Sequence, residues 1–126
     1  MAVISGYAGP AIDCPDVPAL VDFYVRLTGW RKAWESEEFT QISPDGTAYN
    51  GLGFQQVENY RAPEWPGQER PQQFHLDFFA ADLDKAQQEA VELGAVLAEV
   101  QPDPERWRVL LDPAGHPFCL CVEPDR

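Results

Sequence analysis

Apolar residues recur at the spacing of an α-helix in two segments of this chain. In the first segment they begin after Asp16 and end before Gly29; they are Val17, Leu20, Val21, Tyr24 and Leu27. In the second they begin after Asp82 and end before Gly94; they are Leu83, Ala86, Ala90 and Leu93. Asp is a favoured N-cap residue, and Gly commonly follows the last turn of a helix. The pattern therefore predicts two amphipathic helices, each with one face packed on a core.

The two helices lie in segments that follow one plan. Each comes after a short strand and before strands joined by a turn, SPDG in the first half and DPAG in the second, which align on Gly46 and Gly115. The repeat predicts two βαβββ modules, 5–57 and 73–123, connected by a Pro-, Gly- and charge-rich linker, 58–72. An α+β domain whose halves resemble each other by chance is the alternative.

Neither half of the chain, of about 60 residues, buries enough apolar surface to be stable alone. We therefore expect residues 1–126 to form a single α+β domain. Its two tandem modules should share a cupped, mixed or antiparallel sheet, with both helices on the convex face.

Alternation along the strands assigns side chains to the two faces of this sheet. Phe118, Leu120 and Val122 should face the helices, which leaves Cys119 and Cys121 on the opposite face. Between Phe74 and Phe79, the same rule directs alternate residues away from the helices; they are His75, Asp77 and Phe79. The open face also collects residues of the first module; they are Gly9, Asp13 and Asn50. A face with small, polar and aromatic residues predicts a pocket, and a solvated sheet face is the alternative.

Charge and composition exclude several classes of partner. The net charge is −12 with a pI near 4.3, whereas binding to nucleic acid or to anionic membranes needs clustered Lys and Arg. No apolar run approaches the ~20 residues of a membrane span, and the N-terminal sequence lacks the pattern of an export signal. Three cysteines without a framework spacing predict reduced thiols and a cytoplasmic protein. We expect His116, in the DPAG turn region, to be solvated.

Three motifs resemble those of the vicinal oxygen chelate (VOC) superfamily, and most closely its glyoxalase-like branch. They are D-x-x-x-L-x-x-F-Y-x-x-x-x-G-W from Asp16 to Trp30, H-L-D from His75 to Asp77, and D-P-x-G-x-x-F-C from Asp112 to Cys119. This superfamily includes glyoxalase I, extradiol dioxygenases, fosfomycin-resistance enzymes and bleomycin-resistance proteins. The resemblance implies paired βαβββ modules. In the enzymes, it also implies a divalent metal held on the first and last strand of each module.

The metal-ligand positions that the resemblance implies carry one usual donor out of four. They fall on Gly9, on Asn50 through the alignment of the turns, on His75, which matches, and on Cys119, where the enzymes carry Glu. We therefore expect no cofactor. The alternative is a divalent metal on His75 and Cys119, with a third ligand from Asp77, Asp13 or Cys121. A Cys119–His75 nucleophile pair is a further option.

Two of the four tryptophans are candidates for the pocket wall. Trp65 lies in the polar linker, where a buried indole needs a neighbouring surface, and Trp107 begins a strand whose face the sequence leaves open. Similar proteins that bind bleomycin lack metal ligands and have aromatic walls. The resemblance thus predicts a non-catalytic small-molecule binder of the sequestration or resistance type, and a homodimer by analogy. A divalent-metal-dependent lyase, isomerase or dioxygenase with a non-standard ligand set is the alternative, so the question of enzymatic activity stays open.

Overall fold

A computed structural model describes residues 2–124, and its elements repeat once along the chain. The first set is β1 (Ala11–Cys14), α1 (Val17–Thr28), β2 (Arg31–Glu35), β3 (Phe39–Ser43) and β4 (Leu52–Gln56). The second set is β5 (Leu76–Ala80), α2 (Leu83–Leu93), β6 (Val96–Leu97), β7 (Trp107–Leu111) and β8 (Pro117–Val122). The predicted α+β class with two βαβββ modules is confirmed.

Hydrogen bonds arrange the strands in two four-stranded sheets rather than in one shared sheet. Their orders are β1-β4-β3-β2 and β5-β8-β7-β6. In each sheet the first strand pairs in parallel with the last, and the remaining pairs are antiparallel. A parallel pair needs a long crossover connection, and the helix of each module supplies part of it. The two sheets therefore have the same topology.

The chain forms two compact units that divide between Tyr60 and Arg61. We call them the first and the second unit. The division falls within the segment predicted to connect the modules. From Arg61 onward this segment belongs to the second unit, where Glu64 bridges to Pro71 and the Arg70 Nε donates to the Ala62 carbonyl oxygen over 3.0 Å.

Both helices begin and end where the sequence predicts. The Asp16 carboxylate accepts from the Ala19 N–H over 3.1 Å, and that of Asp82 accepts from the Lys85 N–H over 3.1 Å. Gly29 ends α1 in the left-handed region at φ 74°. Capping of this kind satisfies backbone groups that the helix itself leaves unpaired. In the described residues, neither helix is long and apolar enough to cross a lipid bilayer.

The predicted alternation of buried and exposed residues holds along the strands that lead to the site. Phe118 and Leu120 are buried in β8, whereas Val122, expected on the same face, is 51% exposed because it stands at the end of the strand. In β1, Ile12 is buried and Asp13 is exposed. The helix-facing side of each sheet thus provides the core.

The turn before β8 is built by the carboxylate of Asp112. It accepts from the Ala114 N–H over 2.9 Å and from the His116 N–H over 3.0 Å. His116 is 5% exposed and its ring lies 5.9 Å from that of Phe74, so the expectation that it is solvated is wrong. A turn folded tightly on its own Asp side chain keeps this imidazole against the unit.

The strand register corrects the assignment of Asn50. Parallel pairing joins Ala11 to Gly53 in the first sheet and Asp77 to Cys119 in the second. Since Ala11 and Asp77 each precede their helix cap by five residues, the counterpart of Cys119 is Gly53. Asn50 lies outside β4, exposed and at φ 56°. The alignment of Gly46 with Gly115 failed because the segment from Gly46 to Gly53 is three residues longer than the segment from Gly115 to Cys119.

Candidate functional site

Strands β5 and β8 bring the predicted polar residues of the second unit together. Their register places Asp77 beside Cys119, and Phe79 beside Cys121. Because alternate residues share a face, His75 stands on the same side as Asp77, two residues earlier along the chain. The side chains of His75 and Asp77 are 43% and 58% exposed, whereas Cys119 is 6% exposed. The buried thiol of Cys119 thus lies close to two accessible polar side chains, those of His75 and Asp77.

These residues line a pocket of about 340 Å³ that is formed by the second unit. Trp107 is the antiparallel partner of Cys121, so its indole lies on the pocket face. The sequence alone did not assign Trp107 to either face of the sheet. Trp65 reaches the pocket from the segment before β5. Both indoles pack against the small apolar cluster of Ala98, Val109 and Cys119. The lining residues are Trp65, Gln72, His75, Asp77, Trp107, Val109, Pro117, Cys119 and Cys121.

Three of the lining residues were missed by the sequence analysis. Pro117 precedes Cys119 by two residues, so strand alternation could have found it. Val109 is the antiparallel partner of Cys119, and only the register shows this. Gln72 lies in an irregular segment, where no sequence signal points to the pocket.

Other predicted residues lie elsewhere. Phe79 is 66% exposed and is not part of the lining. Asp13 and Asn50 belong to the first unit and are exposed. A binding role for these three residues stays a prediction.

The thiols of the pocket are held in their protonated form. Burial raises the pKa of Cys119 to about 12, and the negative charge of Asp77, the neighbouring Cys121 and a hydrogen bond with Asp77 add to the effect. Burial and then the charge of Asp77 also raise the pKa of Cys121. Catalytic cysteines show the opposite shift, since the thiolate is the nucleophile. The raised pKa of Cys119 therefore speaks against a Cys119–His75 nucleophile pair.

Three side chains converge as possible metal ligands, and we call them the donor cluster: His75, Asp77 and Cys119. One ligand atom from each lies within 4.8 Å of the others, and the His75 Nε2 is 3.5 Å from the Asp77 Oδ1. Imidazole nitrogen, carboxylate oxygen and thiolate sulfur are the ligand types that Zn²⁺ uses in proteins. The donor set therefore fits a divalent metal, and among the candidates that the sequence left open for a third ligand, Asp77 is the one that lies beside His75 and Cys119.

The corresponding positions of the first unit carry no donor. They are Gly9 and, through the register, Gly53. A Cβ on Gly9 would lie 1.8 Å from the Gly51 carbonyl oxygen, and Gly9 has φ 118°. A Cβ on Gly53 would lie 2.5 Å from the Phe39 ring. The backbone at Gly9 thus excludes any side chain, and at Gly53 the Phe39 ring would have to move.

Comparison with known sequences identifies one family. The profile of the family described as "Glyoxalase-like domain" matches residues 10–121. Among curated proteins, no sequence matches this chain significantly.

Several solved structures share the fold at low sequence identity. The bleomycin-binding protein from Streptomyces verticillus, complexed with copper(II)-bleomycin, is 20% identical with a TM-score of 0.61, over 98% of this chain and 100% of that one. A variant of fosfomycin resistance protein FosX from Listeria monocytogenes, complexed with Mn(II) and a dihydroxypropylphosphonic acid, is 13% identical with a TM-score of 0.70, over 97% and 93%. A glyoxalase/bleomycin resistance protein/dioxygenase family enzyme from Burkholderia phytofirmans is 19% identical with a TM-score of 0.66, over 91% and 97%.

Proposed function

Since this chain belongs to the glyoxalase-like domain family of the VOC superfamily, we propose that it binds a small organic molecule in the second-unit pocket without transforming it. The single observation that carries the proposal is the pocket of about 340 Å³ between Trp65 and Trp107. Ligand sites have volumes of ~300–1,000 Å³, with mostly apolar and aromatic walls and a few polar groups. Here the walls are two indoles and Val109, and the polar groups are those of Gln72, His75 and Asp77.

The charge of the pocket favours a cationic ligand, or a neutral one that donates hydrogen bonds. Asp77 carries the one carboxylate among the lining residues, and none of these residues is Lys or Arg. Indole faces attract cations, with a gain of ~0.5–2 kcal/mol. The net charge of −12 adds a long-range attraction for cations. An aromatic amine or a quaternary ammonium compound combines these features.

The state of the thiols supports binding without covalent chemistry. With a pKa of about 12, Cys119 is a poor nucleophile at neutral pH. A protein of this kind would act by sequestering its ligand. The similar protein from Streptomyces verticillus is named for binding bleomycin, a comparable role. We propose in addition that the chain works in the cytoplasm and as a homodimer.

Tryptophan fluorescence of EDTA-treated protein tests the proposal. The probes are benzyltrimethylammonium, phenylacetate as its anionic counterpart, and metal-free bleomycin as a larger cation. We expect a saturable change with a cationic probe that Trp65→Leu and Trp107→Leu each abolish. Trp34→Leu serves as the matched control, because Trp34 lies on β2 of the first unit and is 62% exposed. Asp77→Asn should weaken cation binding roughly 5–10-fold, or about 1 kcal/mol.

Two results would contradict this proposal. One is a preference for phenylacetate over the ammonium probe, which the charge of Asp77 should prevent. The other is unchanged binding in the protein that carries both Trp65→Leu and Trp107→Leu.

A metal-dependent lyase, isomerase or dioxygenase is the second candidate, and the donor cluster favours it. His75, Asp77 and Cys119 would hold the ion, which when bound supplies Lewis-acid polarisation of a substrate oxygen. Turnover of a substrate that EDTA stops and a divalent ion restores would support this candidate over simple binding.

A further inference from the structure

We infer that Gln72 makes the second-unit pocket selective for ligands that donate an N–H hydrogen bond, and this selectivity rests on the function proposed above. The pocket would then take protonated primary, secondary or tertiary amines in preference to quaternary ammonium compounds. Gln72 becomes a specificity-determining residue of the pocket, in addition to the two indoles and the carboxylate of Asp77.

The Gln72 side chain carries an unsatisfied hydrogen-bond acceptor. Gln72 lines the pocket, and its Oε1 is buried without a hydrogen-bond donor among residues 2–124. Most buried polar side-chain atoms in native proteins have such a partner. Leaving one unpaired costs the equivalent of roughly 5–100-fold in an equilibrium constant. An acceptor of this kind in the wall of a pocket indicates that the ligand supplies the missing donor.

The charge of the pocket restricts the donor to a cationic N–H group. Asp77 carries the one carboxylate among the lining residues, and none of them is Lys or Arg. A protonated amine combines a positive charge with an N–H donor, whereas a quaternary ammonium group has the charge alone. The last side-chain torsion of Gln is broad, so a small rotation of the amide lets a bound ligand reach Oε1. A site that hydrogen-bonds a ligand N–H rejects the analogue without it, because the acceptor then stays unpaired.

The segment that carries Gln72 is closed into a loop by its own contacts. The Glu64 N–H donates to the Arg70 carbonyl oxygen over 2.6 Å, and the Arg70 Nε donates to the Ala62 carbonyl oxygen over 3.0 Å. Glu64 also bridges to Pro71, the residue directly before Gln72. We call residues 62–71 the Trp65 loop. Its closed base fixes the backbone from which the Gln72 side chain extends.

The Trp65 loop is in turn fixed on the rest of the second unit. A Cβ on Gly115, in the turn before β8, would lie only 2.8 Å from the Cβ of Ala62, so loop and turn approach closely. The indole of Trp65 packs against the apolar cluster that includes Val109 and Cys119. Gln72 therefore cannot turn its amide to solvent by a simple movement of the loop, and the unpaired acceptor is a property of the folded unit.

A residue that serves binding rather than folding should affect affinity and stability differently. Met resembles Gln in length and shape but has no amide. Replacing an unpaired buried polar group by an apolar group of the same shape is neutral or stabilising. Gln72→Met should therefore leave the urea midpoint of unfolding unchanged or raise it, while it removes the selectivity for N–H donors. An amide with a structural role would lower the midpoint instead.

Two ligands that differ by one methyl group test the inference. Benzyldimethylammonium has one N–H, and benzyltrimethylammonium has none, while the charge and the aromatic ring are the same. Tryptophan fluorescence titration of the EDTA-treated full chain gives both dissociation constants. We expect the wild-type protein to bind benzyldimethylammonium at least about 5-fold more tightly than the quaternary ligand.

Variants then assign the preference to Gln72. Gln72→Met should bring the ratio of the two dissociation constants to within about twofold of unity, chiefly by weakening the binding of benzyldimethylammonium. Gln73→Met is the matched control and should keep the wild-type ratio, because Gln73 is exposed and lies outside the lining. Urea unfolding of the three proteins gives the midpoints.

Four outcomes would overturn the inference. Equal binding of the two ligands by the wild-type protein would mean that water satisfies Oε1. A wild-type ratio in Gln72→Met would mean that another group accepts the N–H, and loss of the preference in Asp77→Asn alone would identify that group as Asp77. A lower midpoint, or failure to fold, in Gln72→Met would show that the amide is structural.

Failure of this inference is distinct from failure of the proposed function. If the wild-type protein binds both ligands equally and Trp65→Leu abolishes that binding, the pocket binds organic cations and only the selectivity is wrong. If the wild-type protein binds neither ligand, the proposed function is contradicted and the selectivity falls with it.

Discussion

Replacing Phe118 by Ala tests the assignment of faces in β8, on which the pocket depends. Phe118 is fully buried and its ring forms an edge-to-face pair with Phe78 at 6.2 Å. Burial of a Phe side chain contributes roughly 1.5–3 kcal/mol. The aromatic pair adds ~0.5–1.5 kcal/mol. With the cavity that remains, we expect Phe118→Ala to lower the free energy of unfolding by roughly 3–5 kcal/mol.

Two neighbouring variants provide the comparison, and urea unfolding of all three proteins provides the measurement. Cys119→Ser, on the pocket face, replaces one atom and should cost less than about 1.5 kcal/mol. Val122→Ala follows the alternation of Phe118 but lies at the exposed end of the strand, so its effect should stay within ~0.5 kcal/mol. Equal losses for Phe118→Ala and Cys119→Ser, at unchanged denaturant slopes, would refute the assignment of faces.

Four further predictions concern the backbone and the Cys119 thiol. In urea unfolding, Gly9→Ala should destabilise the protein by at least about 3 kcal/mol, because its Cβ would meet the Gly51 carbonyl oxygen at 1.8 Å. Gly29→Ala has open space around its Cβ and should cost about 1 kcal/mol in the same assay. Asp82→Ala should lower the free energy of unfolding by about 1 kcal/mol in thermal unfolding, because the Lys85 N–H loses its acceptor. A decrease smaller than the experimental error would mean that water replaces the Asp82 carboxylate as the acceptor. Cys119 should resist iodoacetamide at pH 8, because a pKa of about 12 leaves roughly 10⁻⁴ of the thiol ionised. Peptide mass spectrometry measures the rate of alkylation, which should rise about tenfold per pH unit. Alkylation of Cys119 should be faster in the Asp77→Asn protein. Since the folded state holds this proton more tightly than the unfolded state, stability should fall as pH rises from about 9 towards 12, and Cys119→Ala should flatten that part of the pH profile.

The sequence by itself determined the helices, the repeat and the faces of the strands. The caps at Asp16 and Asp82 and the terminating glycines are local features, in which each residue acts on backbone groups a few positions away. Strand alternation is local in the same sense, so the placement of His75, Asp77 and Cys119 on one face could be predicted from the chain alone.

Only the tertiary structure decided which of these residues meet. The counterpart of Cys119 is Gly53 rather than Asn50, because pairing between β1 and β4 does not preserve the length of the turns. Trp65 and Gln72 reach the pocket from an irregular segment, where no periodicity predicts a direction. The separation of 3.5 Å between His75 and Asp77 likewise depends on side-chain geometry. The strand register, the course of the loops and the distances between the polar side chains of the pocket arise from contacts between distant parts of the chain. Local sequence patterns do not connect those parts.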